Sequence, residues 1–332
     1  MTGETPAQES GPETWPLLSL LGSRAVLYES GQALTHRFAP LNFQDRIKLL
    51  EDGEERLARG KPVTPDEFHW HPGDAGLARF LTHCRERALA TGGLRLHALL
   101  GDDIPLEALP ASKDGNAGAQ GDPAIIRLTE IAFEKYLGHP AAPAPAIGET
   151  PDPPRVLIYF NPHEEPELPA AREESRVLAE KLDGRCDDRY IARALDETEW
   201  RGHLEWADVV FYFGHGRNIS GAPAIPSPSG WMPFGPAGVA LARKAFFFSA
   251  CYRGPAAGTR FPGGCALFPL CRLADRPAPF LGDLVDNWLS GAELWRAYRH
   301  AVEQDARVGD MRRFVFQLQG LNAIASRAGL FG

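Results

Sequence analysis

The chain has 332 residues, 44% of them hydrophobic, and carries a formal net charge of -8 at pH 7. That supplies a sizeable core for one large domain or two ordinary ones, and the 34 Gly and 29 Pro together stay below the share of roughly a quarter that marks low-complexity sequence. With no long basic run there is no phosphate-tracking surface, so nucleic acid is not expected as a direct partner.

Residues 1–16 open with small, polar and acidic side chains, without the cationic start and apolar stretch of a signal peptide, and are expected to form a disordered tail. Residues 24–28 and 33–38 are short strand-like runs around Ser30-Gly31, a hairpin pattern. Phe43, Ile47, Leu50 and Leu57 then recur at helical spacing, predicting a helix over 43–59 that ends near Gly60. A second helix fits 74–91. Leu94, Leu96 and Ala98 alternate with Arg95 and His97, which is the period of a strand.

Residues 113–122 are small and polar, and 138–154 are rich in Pro and Ala, so the main boundary is placed in the second stretch. The expected division is a tail (1–16), a companion half (17–150) and a second half (151–332). In the second half the pattern reads strand (156–160), helix (170–182), strand (209–213), strand (245–250). Continuous apolar runs between helices predict buried parallel strands of an α/β sheet, whose C-terminal ends are where ligands bind. These runs are far shorter than the ~20 residues that span a bilayer, so no membrane partner is expected. The five cysteines, Cys84, Cys186, Cys251, Cys265 and Cys271, are odd in number and scattered without a CxxC. They point to a reducing, cytoplasmic compartment, and against both a disulfide framework and a structural zinc.

Two of the apolar runs deliver reactive residues. Val209-Val210-Phe211-Tyr212-Phe213 leads into Gly214-His215-Gly216, and Phe246-Phe247-Phe248 leads into Ser249-Ala250-Cys251-Tyr252-Arg253-Gly254. A thiol is a strong nucleophile as thiolate, and a neighbouring imidazole takes its proton, so a strand-end His beside a strand-end Cys makes an activated pair. The backbone N–H groups of Gly216 and Cys251 are the natural donors to a developing oxyanion. A buried packing cysteine is the competing reading.

In order along the chain, these segments resemble the CHAT family of caspase-like cysteine peptidases. Ile104-Pro105-Leu106-Glu107-Ala108-Leu109 and Ile125-Ile126-Arg127 look like segments of that family's degenerate companion half. Residues 156–162 resemble its first catalytic strand with an Asn-Pro end, and Leu168-Pro169-Ala170-Ala171-Arg172-Glu173-Glu174 its leucine-proline-glycine-alanine helix start, with Ala170 where Gly is usual. The His-Gly and Ser-Ala-Cys strands follow, and residues 291–301 and 314–320 resemble its last helices. After Cys251 the usual valine-rich strand with its tryptophan is not evident in residues 261–280.

The resemblance implies a caspase-like three-layer α/β/α sandwich with a mostly parallel sheet and an N-terminal degenerate caspase-like half. It also implies a cysteine endopeptidase with a His215/Cys251 dyad, acting on a protein substrate as a regulated bacterial effector in defence or cell death, switched on by a partner or signal. No cofactor and no metal are expected. His163 and Glu165, in an acidic loop after the first catalytic strand, and Arg253, beside the nucleophile, are the candidate substrate-binding residues. His69 and His71 lack a third ligand nearby, and Trp288, Trp295 and Tyr298 fall at core-packing helical spacing. A silent caspase-fold scaffold is the alternative from another class, and acyl transfer to an acceptor other than water is a third reading.

Overall fold

The computed structural model describes residues 15–21, 23–39, 44–98, 124–127, 153–163, 165–219, 222–241, 244–250 and 265–320. In chain order the strands are β1 (Leu17–Leu21), β2 (Arg24–Glu29), β3 (Gln32–Arg37), β4 (Gly93–Ala98), β5 (Ala124–Arg127), β6 (Arg155–Asn161), β7 (Asp187–Ile191), β8 (Val209–Gly214), β9 (Arg217–Ile219), β10 (Ala222–Ser227), β11 (Gly230–Pro233), β12 (Ala245–Ala250), β13 (Cys265–Pro269) and β14 (Phe316–Gln319). The helices are α1 (Gln44–Ala58), α2 (Ala75–Thr91), α3 (Pro169–Leu182), α4 (Glu197–Trp206), α5 (Phe280–Leu289) and α6 (Leu294–Val308), with a single helical turn at Arg312–Val315.

One 11-stranded sheet runs in the order β3-β2-β1-β4-β5-β14-β13-β12-β8-β6-β7, and β9–β11 form a separate small sheet. From β13 to β7 every neighbouring pair is parallel, as are β1–β4, β4–β5 and β5–β14. The expected α/β class with a mostly parallel sheet is therefore what the chain adopts. Its apolar runs are continuous because both sheet faces are covered. On one face Ile158, Phe211 and Phe247 pack with α3, α5 and α6; on the other, Tyr212, Phe246 and Phe248 pack with Trp200 and Leu204 of α4 and with Ile225 and Met232 of the small sheet. Stacked pairs Phe211–Phe247 (centroids 4.6 Å apart) and Tyr212–Phe248 (4.8 Å) lock β8 to β12 on both faces.

The hairpin β2–β3 and the predicted helices form as expected, α2 starting on an Asp74 cap that accepts from the Gly76 and Leu77 amides. Trp288, Trp295 and Tyr298 lie in the core, 0–2% exposed. Helix α1 is tied to the far end of the chain by a buried charge network. Glu54, 1% exposed, pairs with Arg276 (2.7 Å) and Arg312 (3.1 Å), and Arg276 also pairs with Asp310 (2.7 Å).

The structure corrects the sequence reading in several places. Trp15, expected in the tail, is 1% exposed and meets Trp295 edge-on at 5.1 Å. Of residues 314–320, expected to be helical, 316–319 form the central strand β14, where Phe316 and Leu318 alternate with Gln317 and Gln319 in the period of a strand. Cys265–Pro269, where no strand was evident, pairs parallel with β12. Strand β7 escaped notice because an exposed edge strand carries no continuous apolar run. The prolines of β10 demote a strand reading. The segments expected at 104–109, 113–122 and 138–152 lie outside the described residues, as do residues 1–14.

Candidate functional site

Strands β6, β8 and β12 are parallel neighbours in register, with Asn161 opposite Gly214 and Gly214 opposite Ala250. The three strands end level at one edge of the sheet, the edge where parallel sheets bind ligands. The next residue along β8 is His215. The next along β12 is Cys251, which with Arg253 lies outside the described residues.

His215 is held from three directions. Gly214 has φ +149°, a conformation that side chains strain to adopt, and a Cβ there would stand 3.0 Å from the Asn161 carbonyl oxygen and 3.0 Å from the Tyr212 hydroxyl. The Tyr212 hydroxyl donates to the His215 carbonyl at 2.6 Å. The imidazole Nε2 lies 2.8 Å from the Pro166 carbonyl oxygen. A carbonyl only accepts, so Nε2 carries the proton in that bond and the neutral ring presents Nδ1 as a free lone pair. Nδ1 makes no hydrogen bond among the described residues.

The loop that supplies Pro166 is itself anchored. Asn161, 1% exposed, donates from Nδ2 to the Pro226 carbonyl at 2.9 Å and accepts at Oδ1 from the His163 amide at 3.1 Å. The second contact is an Asx turn, which bends the chain out of β6. The first fastens the strand end to β10. Gly216 is buried, and a Cβ on it would come 3.1 Å from the Phe248 ring and 3.3 Å from Ala250 Cβ. The glycine therefore lets the backbone after His215 lie directly against the last described residue of β12.

Beneath these strand ends is a cavity of about 30 Å³ lined by Leu168, Ala171 and Glu174 of the α3 start and by Gly214, Ser249 and Ala250. Residues 273–276 and Arg312 close its other side. Helix α3 begins without a cap of its own; the Asp275 carboxylate instead accepts from the Ala170 amide (3.0 Å) and the Ala171 amide (2.9 Å). Burial, before anything else, pushes the Glu174 carboxyl up to about 7, with Arg312 opposing and Asp275 adding to the rise.

His215 and Gly216 thus stand at the shared strand edge, while His163 and Glu165 lie in the same loop as Pro166. His163 is half-buried and Glu165 exposed. Ser249, half-buried, faces the cavity. His69 packs edge-on to Phe314 and lies 3.4 Å from Asp66. Cys84 and Cys265 are buried with thiols pushed far up by desolvation, and the Cys186 thiol is pushed up to about 12 by desolvation and then by Asp188 and Asp187. None of these three is a ready thiolate. The sequence reading missed the Pro166 carbonyl, Tyr212 and the Asp275 cap; of the anchors, Asn161-Pro162 at a strand end was the visible turn signal.

No helix among the described residues is long and apolar enough to cross a membrane. No protein-family model matches the chain, and no curated protein matches it. Among solved structures, the Arg specific cysteine proteinase gingipain R is similar at 12% identity with a TM-score of 0.47, covering 98% of this chain and 81% of that one. The complex of the Porphyromonas gingivalis RgpB pro- and mature domains is similar at 13% identity with a TM-score of 0.41, covering 85% of this chain and 78% of that one.

Proposed function

We propose that the chain is a caspase-like cysteine endopeptidase in which His215 and Cys251 act as a dyad. The observation that carries this reading is the level ending of β8 and β12: Gly214 pairs with Ala250, and each is followed in the chain by one member of the pair. In the proposed reaction the Cys251 thiolate attacks the scissile carbonyl carbon, His215 having taken the thiol proton. The C–N bond breaks, the proton passes to the leaving amine, and water hydrolyses the thioester with His215 again as base. The Pro166 carbonyl supports this by fixing the ring with Nδ1 free, the role of an orienting third group. The amides of Gly216 and Cys251 are assigned to the oxyanion, and His163, Glu165 and Arg253 to substrate contact. The resemblance of the ordered segments to the CHAT family adds the expectation of a regulated effector, activated by a partner or signal.

Incubation of a defined protein substrate with the native chain, Cys251→Ala and His215→Ala tests this. Cleavage is expected from the native chain alone, and equal cleavage by the Cys251→Ala chain would sink the mechanism. A thiol-reactive electrophile is expected to label Cys251 ahead of Cys84, Cys186 and Cys265, whose thiols burial keeps protonated. Labelling of Cys251 no faster than Cys186 would favour the silent scaffold.

A further inference from the structure

We propose that the groove between α3 and α5 is a binding site for a neutral, largely apolar small molecule with the bulk of two or three fused or linked rings. The inference goes beyond the peptidase reading and does not depend on it. The groove measures about 410 Å³, within the roughly 300–1,000 Å³ of small-molecule pockets. An apolar cavity of about 150 Å³ holds one benzene, which sets the size of the occupant. Leu178, Phe213, Leu281 and Val285 line the groove and are each 5% exposed or less. Val177 lines it too and is 37% exposed, one of the large apolar side chains left open to solvent. Pro277, Ala278 and Pro279 complete the wall, and of these only Ala278 carries a backbone N–H.

Two links pin the walls. Lys181 of α3 reaches both carboxylate oxygens of Asp286 on α5, at 2.7 and 2.8 Å. At the start of α3 the Asp275 carboxylate holds the Ala170 and Ala171 amides. A preformed site spares its occupant the cost of ordering it. Pairing also removes charge from the rim: Lys181 is matched by Asp286, and Glu173 by Arg176 at 2.5 Å. Glu174 is half-buried, and its carboxyl is pushed up to about 7 by burial, with the Arg312 charge opposing. Charge complementarity at such a rim favours an uncharged ligand over an ionic one.

Gly282 is the independent observation. It stands in the first turn of α5 and lines the groove, and a Cβ on it would meet nothing within 4 Å. Glycine is a poorer helix former than alanine. Here neither a positive φ nor a packed neighbour among the described residues calls for one. The missing side chain leaves the α5 backbone open to close approach, which is the use glycine has beside a ligand.

The test titrates N-phenylnaphthylamine, a neutral apolar fluorophore, into the full chain. A saturable, one-to-one rise in emission is expected. Gly282→Leu fills the groove and Val177→Lys sets a charge in its wall, and each should weaken binding about tenfold or more. Val308→Lys, at a 63% exposed apolar residue outside the groove, should leave binding unchanged. Thermal melting separates loss of the site from loss of the fold. Gly282→Leu should melt no lower than the native chain, because leucine is the better helix former and its Cβ has room. The anionic counterpart, anilinonaphthalene sulfonate, should bind at least about tenfold more weakly than the neutral probe. Absence of saturable binding, or binding indifferent to both Gly282→Leu and Val177→Lys, overturns the site. Tighter binding of the sulfonate overturns the neutral class of ligand. A native chain that sediments as a dimer while Gly282→Leu sediments as a monomer also overturns the proposal, the occupant then being a second copy of this chain.

Discussion

Replacing Gly214 by Ala is the sharpest test of how the fold presents His215. The residue has φ +149°, and holding a side chain in that region costs about 1–3 kcal/mol. The new Cβ would also stand 3.0 Å from the Asn161 carbonyl oxygen, 3.0 Å from the Tyr212 hydroxyl and 3.1 Å from Asn161 Cβ. Both neighbours are fixed, Asn161 by its bonds to Pro226 and His163, and Tyr212 by its bond to the His215 carbonyl. Overpacking a site that cannot yield adds about 1–3 kcal/mol. The sum, about 2–6 kcal/mol, is a large part of the roughly 5–15 kcal/mol that keeps a domain folded. Urea titration is expected to show a lower midpoint at unchanged slope. Because the displaced groups are those that hold His215, cleavage should fall as well, by as much as ~100-fold for a shift of about 1 Å. Gly202→Ala is the control: Gly202 lies on the exposed face of α4, a Cβ there meets nothing within 4 Å, and the change should stabilise by about 0.5–1 kcal/mol. A Gly214→Ala chain as stable and as active as the native one would refute the reasoning.

Glu54→Ala leaves Arg276 and Arg312 buried with Asp310 as the remaining carboxylate on Arg276, and is expected to cost about 3–5 kcal/mol in denaturant titration. A loss below about 1 kcal/mol would mean that the network does not clamp α1 to the C-terminal segment. Glu174→Gln should reveal a pH-dependent strain. The native carboxyl holds its proton up to about 7 against 4.5 as the ordinary value, so between these pH values the folded state binds more protons and its stability falls as pH rises. Glutamine lacks that dependence, so the variant should match the native chain near pH 4 and exceed it at pH 8 by on the order of 1–3 kcal/mol. The same difference at both pH values would count against a desolvated Glu174.

Much of the second half was legible from local pattern. The runs over 209–213 and 245–250 became β8 and β12, because a strand covered on both faces must be apolar at every position. Helix α1 declared itself by 3.6-residue periodicity, and the helix expected over 74–91 became α2, whose Asp74 cap the structure supplied. The capping box of α4, Asp196 with Glu199, was also present in the sequence but went unused. Strand β14 was misjudged because the segment resemblance outweighed its two-residue alternation.

What the sequence determined by itself is that two apolar strands each lead directly into a reactive residue, for that depends only on consecutive side chains. Tertiary structure alone decided that these strands are parallel neighbours ending level, that the Pro166 carbonyl 49 positions away holds the His215 ring, and that Asp275, 105 positions from Ala170, caps α3 beside the Glu174 cavity. Each of these links joins a backbone group to a distant partner, and a backbone carbonyl or amide is the same in every residue. Local sequence therefore carries no mark of where such a group will be used, and only the packing of the sheet and its helices brings the partners together.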